Sequence, residues 1–251
     1  MKTAPECQRL CEQIGDARRW GEITNLLGHA SFDRGDYARS VELYQQLYTS
    51  AVKNKNAVHQ GWALVNLVMC SMRMDGSPAE ALETLTQALV FIEQTQNRLT
   101  TMNCLGLMAL AYLRLGQFDQ ARVYADRTLV MAVARPTSPT NFEGYAEIPG
   151  IYLALWEAGN VSCAGNARKA IKNLDSFAQL FHNGRPRLHL YQGIMARIEE
   201  KPDKAQVSWK KAIEIARQIQ MPYDEHLAET EMKRFGGSMK NALMQEAPLR
   251  K

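Results

Sequence analysis

One recurring pattern restricts what this chain can fold into: a break between two helix-like segments, marked by a glycine and followed by a small residue. It occurs in "FDRGDYARSVELY" (32–44), "RMDGSPAEALETL" (73–85) and "LRLGQFDQARVYA" (113–125). The small residues are Ser40, Ala81 and Ala121, so the pattern returns after 41 and then 40 residues. A fixed period in this range marks a repeat architecture, in which each unit buries its apolar face against the next. Both flanks of each break are helical in pattern. Trp62, Val65, Met69 and Met72 lead into the second break, and Leu105, Met108, Ala109 and Tyr112 into the third, all at helix spacing. Ala121, Tyr124, Ala125 and Thr128 form one face after it. Each unit therefore reads as an antiparallel helix pair. Gly116 ends one helix, Phe118 packs near the turn and Ala121 lets the two helices approach closely.

The pattern resembles the tetratricopeptide repeat, with a Leu-Gly pair in "LLGHAS" (26–31) and a small-x3-aromatic pair in Ser40 and Tyr44. Leu105, Ala109, Tyr112, Ala121 and Ala125 take the matching places in the third unit. The period is about 40 rather than 34, which adds close to a turn to each helix. The resemblance implies an all-α fold, a right-handed α-solenoid of helix-turn-helix repeats. The expected units are 19–56, 57–97, 98–135, 141–182 and 184–220, preceded by a partial helix at 5–15. In the fourth, Pro149 is expected near a first turn or a kink. A capping helix over 222–235 stops at Gly236-Gly237, completing a repeat domain over 1–237, and 238–251 forms a flexible tail.

Composition narrows the function classes. With 46% hydrophobic residues a substantial core can form. The net charge of +4 is spread over short runs such as Arg18-Arg19 and Lys210-Lys211, so no nucleic-acid footprint is expected. No apolar stretch approaches the roughly 18 residues of a membrane span, and the N-terminus lacks the apolar core of a signal peptide. Five scattered cysteines point to free thiols in a reducing cytoplasm. Asn160-Val161-Ser162 is then no glycosylation site, and Arg34-Gly35-Asp36 is a turn rather than an adhesion motif.

Chemistry has little to rest on. The histidines form no H-E-x-x-H and the pair Cys7/Cys11 supplies only two ligands, so no metal and no cofactor is expected. No G-x-S-x-G and no phosphate-binding G-x-x-x-x-G-K-[ST] occurs, so the chain is read as no enzyme. What remains is the concave groove formed by the first helix of each unit. By register it carries Asn25, His29, Phe32, Asn66, Cys70, Arg73, Arg114, Trp156, Arg187 and Arg197. Asparagine pairs with a peptide backbone, arginine with a carboxylate, and Phe or Trp anchors a contact. The groove is thus expected to take a protein or peptide segment of acidic character. A second reading places a small-molecule pocket in the irregular fourth unit, at Tyr145, Tyr152 and Trp156.

A further resemblance rests on Phe181, Gly184-Arg185-Pro186-Arg187, Trp209, Ala212 and Met221-Pro222-Tyr223, with "LCEQIGDARRW" at 10–20. These residues resemble the C-terminal repeat region of bacterial proteins that join a class III adenylate or guanylate cyclase to a STAND-type AAA ATPase. The resemblance implies a regulatory arm without the engine. Its partner would be a cyclase or ATPase domain of the same cytoplasmic assembly.

Overall fold

A computed structural model describes residues 3–95, 97–132 and 136–245. Helix α1 (Thr3–Ile14) is followed by five helix pairs: α2 (Ala17–Asp33) with α3 (Tyr37–Lys53), α4 (Ala57–Arg73) with α5 (Pro78–Thr95), α6 (Arg98–Arg114) with α7 (Phe118–Met131), α8 (Phe142–Glu157) with α9 (Ala164–Leu180), and α10 (Arg185–Ile198) with α11 (Pro202–Gln218). Helix α12 (Pro222–Gln245) closes the series, and short 3-10 turns precede α8, α9 and α10. No strand occurs among the described residues. The chain is an all-α solenoid of tetratricopeptide-like repeats.

Local chemistry sets the helix ends. Asp16, Asp36, Asn56 and Asn97 each precede a helix and accept a hydrogen bond from a backbone N–H three residues on, as an N-cap should. Gly35 and Gly116 adopt the left-handed backbone that ends α2 and α6, with φ of 78° and 72°. In the second unit that role falls to Asp75 (φ 57°), not to Gly76. Gly76 is needed for another reason, since a Cβ there would lie 2.0 Å from Ser71 Oγ.

The first helices of successive pairs touch one another, α2 on α4, α4 on α6, α6 on α8 and α8 on α10, and so line the inner side. The second helices form the outer layer, each wedged between two inner helices. Small residues permit the close approach within a pair. Ser40, Ala81 and Ala121 are buried, and Ser40 Oγ donates to Gly28 O at 2.9 Å. A Cβ on Gly28 would meet the Tyr44 ring, and one on Gly193 would meet the Trp209 indole, whose Nε1 donates to Leu190 O at 3.2 Å. The glycine-facing-aromatic arrangement therefore recurs in the first and last pairs.

Three expectations are corrected. Pro149 is not in a first turn but in the middle of α8, because the helix begins as early as Phe142. Phe118 is 49% exposed and does not seal its turn. Helix α12 does not stop at Gly236-Gly237 but runs on to Gln245, absorbing residues expected to form a flexible tail; residues 246–251 lie outside the described residues.

The solenoid also closes on itself. A Cβ at Gly35, in the first inter-helix turn, would lie 2.9 Å from Pro222 Cγ at the start of α12. Next to this contact the Arg73 guanidinium lies 4.1 Å from the centre of the Tyr223 ring. The last helix thus abuts the first two units.

Candidate partner-binding groove

The inner surface has two parts. Toward the amino end, α2, α4, α6 and the turn before α8 enclose a cleft of about 270 Å³ rich in amide side chains. Asn25, Asn66, Asn97, Asn103 and Asn141 all line it, with Leu26, Trp62, Val65 and Leu99 as its apolar contribution. Asn66 Nδ2 donates to Asn25 Oδ1 at 2.8 Å, one repeat away. That bond uses Asn66 Nδ2 and Asn25 Oδ1, so the pair keeps Asn25 Nδ2 as a donor and Asn66 Oδ1 as an acceptor. Asn103 is held by two bonds, donating to Thr140 O at 3.1 Å and accepting from Gly144 N at 3.0 Å. His29 lines the same cleft, packed edge-on to Tyr44, and burial pushes its imidazole down to about 4. It is neutral at pH 7, and Glu22 is the charged residue of this lining.

Toward the carboxyl end, charges replace amides. Arg73 Nη2 contacts Glu143 Oε2 at 2.6 Å and Glu147 Oε1 at 3.0 Å. Arg187 Nε contacts Asp224 Oδ1 at 2.7 Å and its Nη1 contacts Glu147 Oε1 at 3.2 Å. Both arginine side chains are almost fully enclosed, at 4% and 1% exposure. Burial raises Glu143 to about 8. For Glu147 burial acts the same way, but Arg73, Arg187 and the hydrogen bond with Glu143 outweigh it and hold the group at about 2. Asp33 is pushed up to about 7 by burial and by the neighbouring Asp224. Two guanidiniums thus face a set of acids of which Asp33 and Glu143 are pushed toward the protonated form.

The ten groove residues expected from the sequence thus separate. Asn25, His29 and Asn66 share the amide cleft. Phe32 and Cys70 are core: the Phe32 ring lies under Arg73 at 5.5 Å, and burial pushes the Cys70 thiol up to about 11. Arg73 and Arg187, expected to receive an acidic segment, are engaged by carboxylates of the chain itself. Arg114 donates to Met72 O at 2.7 Å, and Arg197 pairs with Glu157 at 2.8 Å. Trp156 lies under the Arg168 guanidinium at 5.2 Å. Tyr145 and Tyr152 are buried, and Tyr152 Oη donates to Asp126 Oδ1 at 2.6 Å, so these residues do not wall a cavity together.

Comparison with solved structures gives the helical-repeat fold a counterpart. The crystal structure of BtubC (BKLC) from P. vanneervenii matches at a TM-score of 0.55 with 15% identity, covering 87% of this chain and 88% of that one. Two crystal structures of MamA match at TM-scores of 0.40 and 0.39, each with 18% identity, over 76% and 79% of this chain and 95% and 92% of theirs. The likeness is one of fold. No family model and no curated protein matches the sequence.

Sequence reasoning missed Trp62, Asn103 and the carboxylates of the charge cluster. A signal existed for the last: Glu143 and Glu147 stand one helical turn apart in the otherwise apolar "FEGYAEIPGIYLALW". Two acids on one face of a buried helix require cations opposite them. Nothing local marks Asp224 as one of the group. No helix among the described residues is long and apolar enough to cross a membrane, and none of their His, Cys, Asp and Glu side chains forms a cluster of three suited to a metal.

Proposed function

We propose that the chain is a non-catalytic interaction scaffold that holds an extended segment of a protein partner in the amide cleft. The observation that carries this reading is the Asn25–Asn66 pair, which leaves one donor and one acceptor facing an accessible cleft beside Trp62 and Leu26. A peptide group satisfies both, and an apolar side chain of the segment packs on Trp62. The cleft offers no unpaired cation, so the preferred segment is uncharged rather than acidic. In a larger assembly this arm would position a cyclase or ATPase domain in the bacterial cytoplasm, as the resemblance at 181–187 and 221–223 suggests.

The test is selection of binding segments from a displayed random-peptide library by the full chain. Segments enriched by the unaltered protein are expected to be lost with Trp62→Ala and weakened with Asn66→Ala. Equal retention by both variants overturns the assignment.

A second reading has a specific observation in its favour. The fourth unit does border a cavity, formed by the face of α8 opposite Tyr152 and including Glu147, Gly150 and Ile151. A small ligand bound there would regulate whatever domain the scaffold carries.

A further inference from the structure

The register of the inner helices places a charge beside an indole at one corner of the amide cleft. Asn25 and Asn66 join α2 to α4, and a Cβ on Gly21 would run into the His59 ring, so the two helices stay in contact toward their amino ends. Glu22 precedes Asn25 by three residues and Trp62 precedes Asn66 by four. At a rise of ~1.5 Å per residue they stand about 4.5 and about 6 Å before the amide pair, on the same side of it. Both line the cleft, and Trp62 is half-buried there.

Glu22 is the charged residue of this lining, and nothing beside it offsets that charge from within the cleft. His29 is neutral, as described above. The His59 ring lies 5.0 Å from the Trp62 ring, and burial holds its pKa down against the pull of Glu22. The partner Glu22 does have is Arg18, one turn back at 3.2 Å, with side chains 43% and 82% exposed. An exposed pair of this kind is weak and exchanges readily. The carboxylate is therefore accessible and uncommitted, unlike those enclosed around Arg73 and Arg187.

We propose that the segment held in the amide cleft carries one basic side chain, whose aliphatic stem lies on Trp62 and whose charged head pairs with Glu22. At ~3.3 Å per residue of extended chain, that residue falls within about two positions of the peptide group held by the amides. Arginine fits better than lysine, since its planar guanidinium both stacks on an indole and meets a carboxylate with two parallel bonds. The inference rests on the scaffold reading and narrows it. The lack of a cation already disfavours an acidic segment; Glu22 carries the choice from a neutral segment to a singly basic one.

The displayed-peptide selection is run on the full chain and, in parallel, on Glu22→Gln and Glu22→Lys. The unaltered chain is expected to enrich segments with Arg or Lys at one fixed position. Glu22→Gln should enrich segments without that preference, and Glu22→Lys should place Asp or Glu there. A synthetic copy of the best segment is then made with its base replaced by a neutral counterpart, citrulline for arginine or norleucine for lysine. It should bind the unaltered chain about tenfold more weakly, the worth of one charge-assisted bond, while both forms bind Glu22→Gln equally. Enriched segments with no basic position, or the same basic position selected by Glu22→Gln, overturn the inference and leave the scaffold reading standing. No enrichment at all overturns both. Butylguanidinium binding as tightly as the whole segment also overturns the inference, by assigning the corner to a small cation.

Discussion

In the amino-terminal half of the inner surface the polar groups are amides around an accessible cleft; in the carboxyl-terminal half they are charges enclosed beneath α12. The same inner-helix position serves opposite ends. Asn66 and Arg73 stand two turns apart on α4 and both are 4% exposed, yet Asn66 lines the amide cleft with a neutral group and Arg73 is paired by the carboxylates of α8. Amides can be left unsatisfied near solvent at little cost, whereas a charge out of water must be paired. Under the proposed function, binding falls to the cleft whose lining amides carry no charge. Structural commitment is concentrated where charges have been matched.

The strongest test of this contrast is Arg187→Met. Removing one guanidinium leaves Asp224 and Glu147 enclosed with a single cation nearby, and should cost about 3–5 kcal/mol in urea unfolding. A cost near that of a surface substitution would show that the cluster is solvated and the contrast false.

The pH dependence sharpens it next. Asp33 and Glu143 have folded-state values of about 7 and about 8, above their ordinary 3.8 and 4.5. At low pH both states hold these protons and nothing is lost. As pH rises the unfolded chain releases them first, so stability falls from about pH 4 to about pH 8 and then levels. Glu147, held at about 2, acts in the opposite sense: its contribution is present above 4.5 and is lost as pH falls toward 2. Unfolding midpoints across this range should peak in the ordinary carboxylate region, and Asp33→Asn should flatten the decline. A flat profile for the unaltered chain would contradict the upward shifts of Asp33 and Glu143.

A smaller effect compares two glycines of the same backbone class. Gly116→Ala places a Cβ in open space at φ 72°, and should cost about 1–2 kcal/mol from backbone strain alone. Gly35→Ala adds a collision with Pro222, and should cost about 1 kcal/mol more. Equal costs would mean that the contact between the first turn and α12 yields freely. The smallest expected change is Asn66→Ala, about 1 kcal/mol or less in stability, with its main consequence in peptide capture.

Much of the solenoid was legible because its rules are local. Ser40, Ala81 and Ala121 announced the close approach of paired helices. Asn25 and Asn66 were assigned to one groove because they occupy corresponding turns one period apart. The charge cluster was not legible for the opposite reason. Glu147 and Arg187 stand one period of 40 residues apart, but Arg73 and Asp224 join them from α4 and α12 off that period, and their meeting depends on how tightly the array curls. Curvature accumulates from small rotations between units that no short motif specifies. Tyr223 looked like part of a cap, yet its ring is the platform on which Arg73 rests.

The abutment of Pro222 on Gly35 changes how the molecule assembles in time. An open repeat array stabilises unit by unit, and each completed pair can stand on its predecessor. Here Arg73 and Arg187 acquire their full set of partners only when α12, the last of the described helices to be synthesised, arrives. A growing chain therefore leaves this cluster uncovered, and Arg187 without Asp224, until then. Peeling α12 from the finished array breaks contacts to the first two units and to α10 and α11 together, so the last helix ties distant repeats to one another.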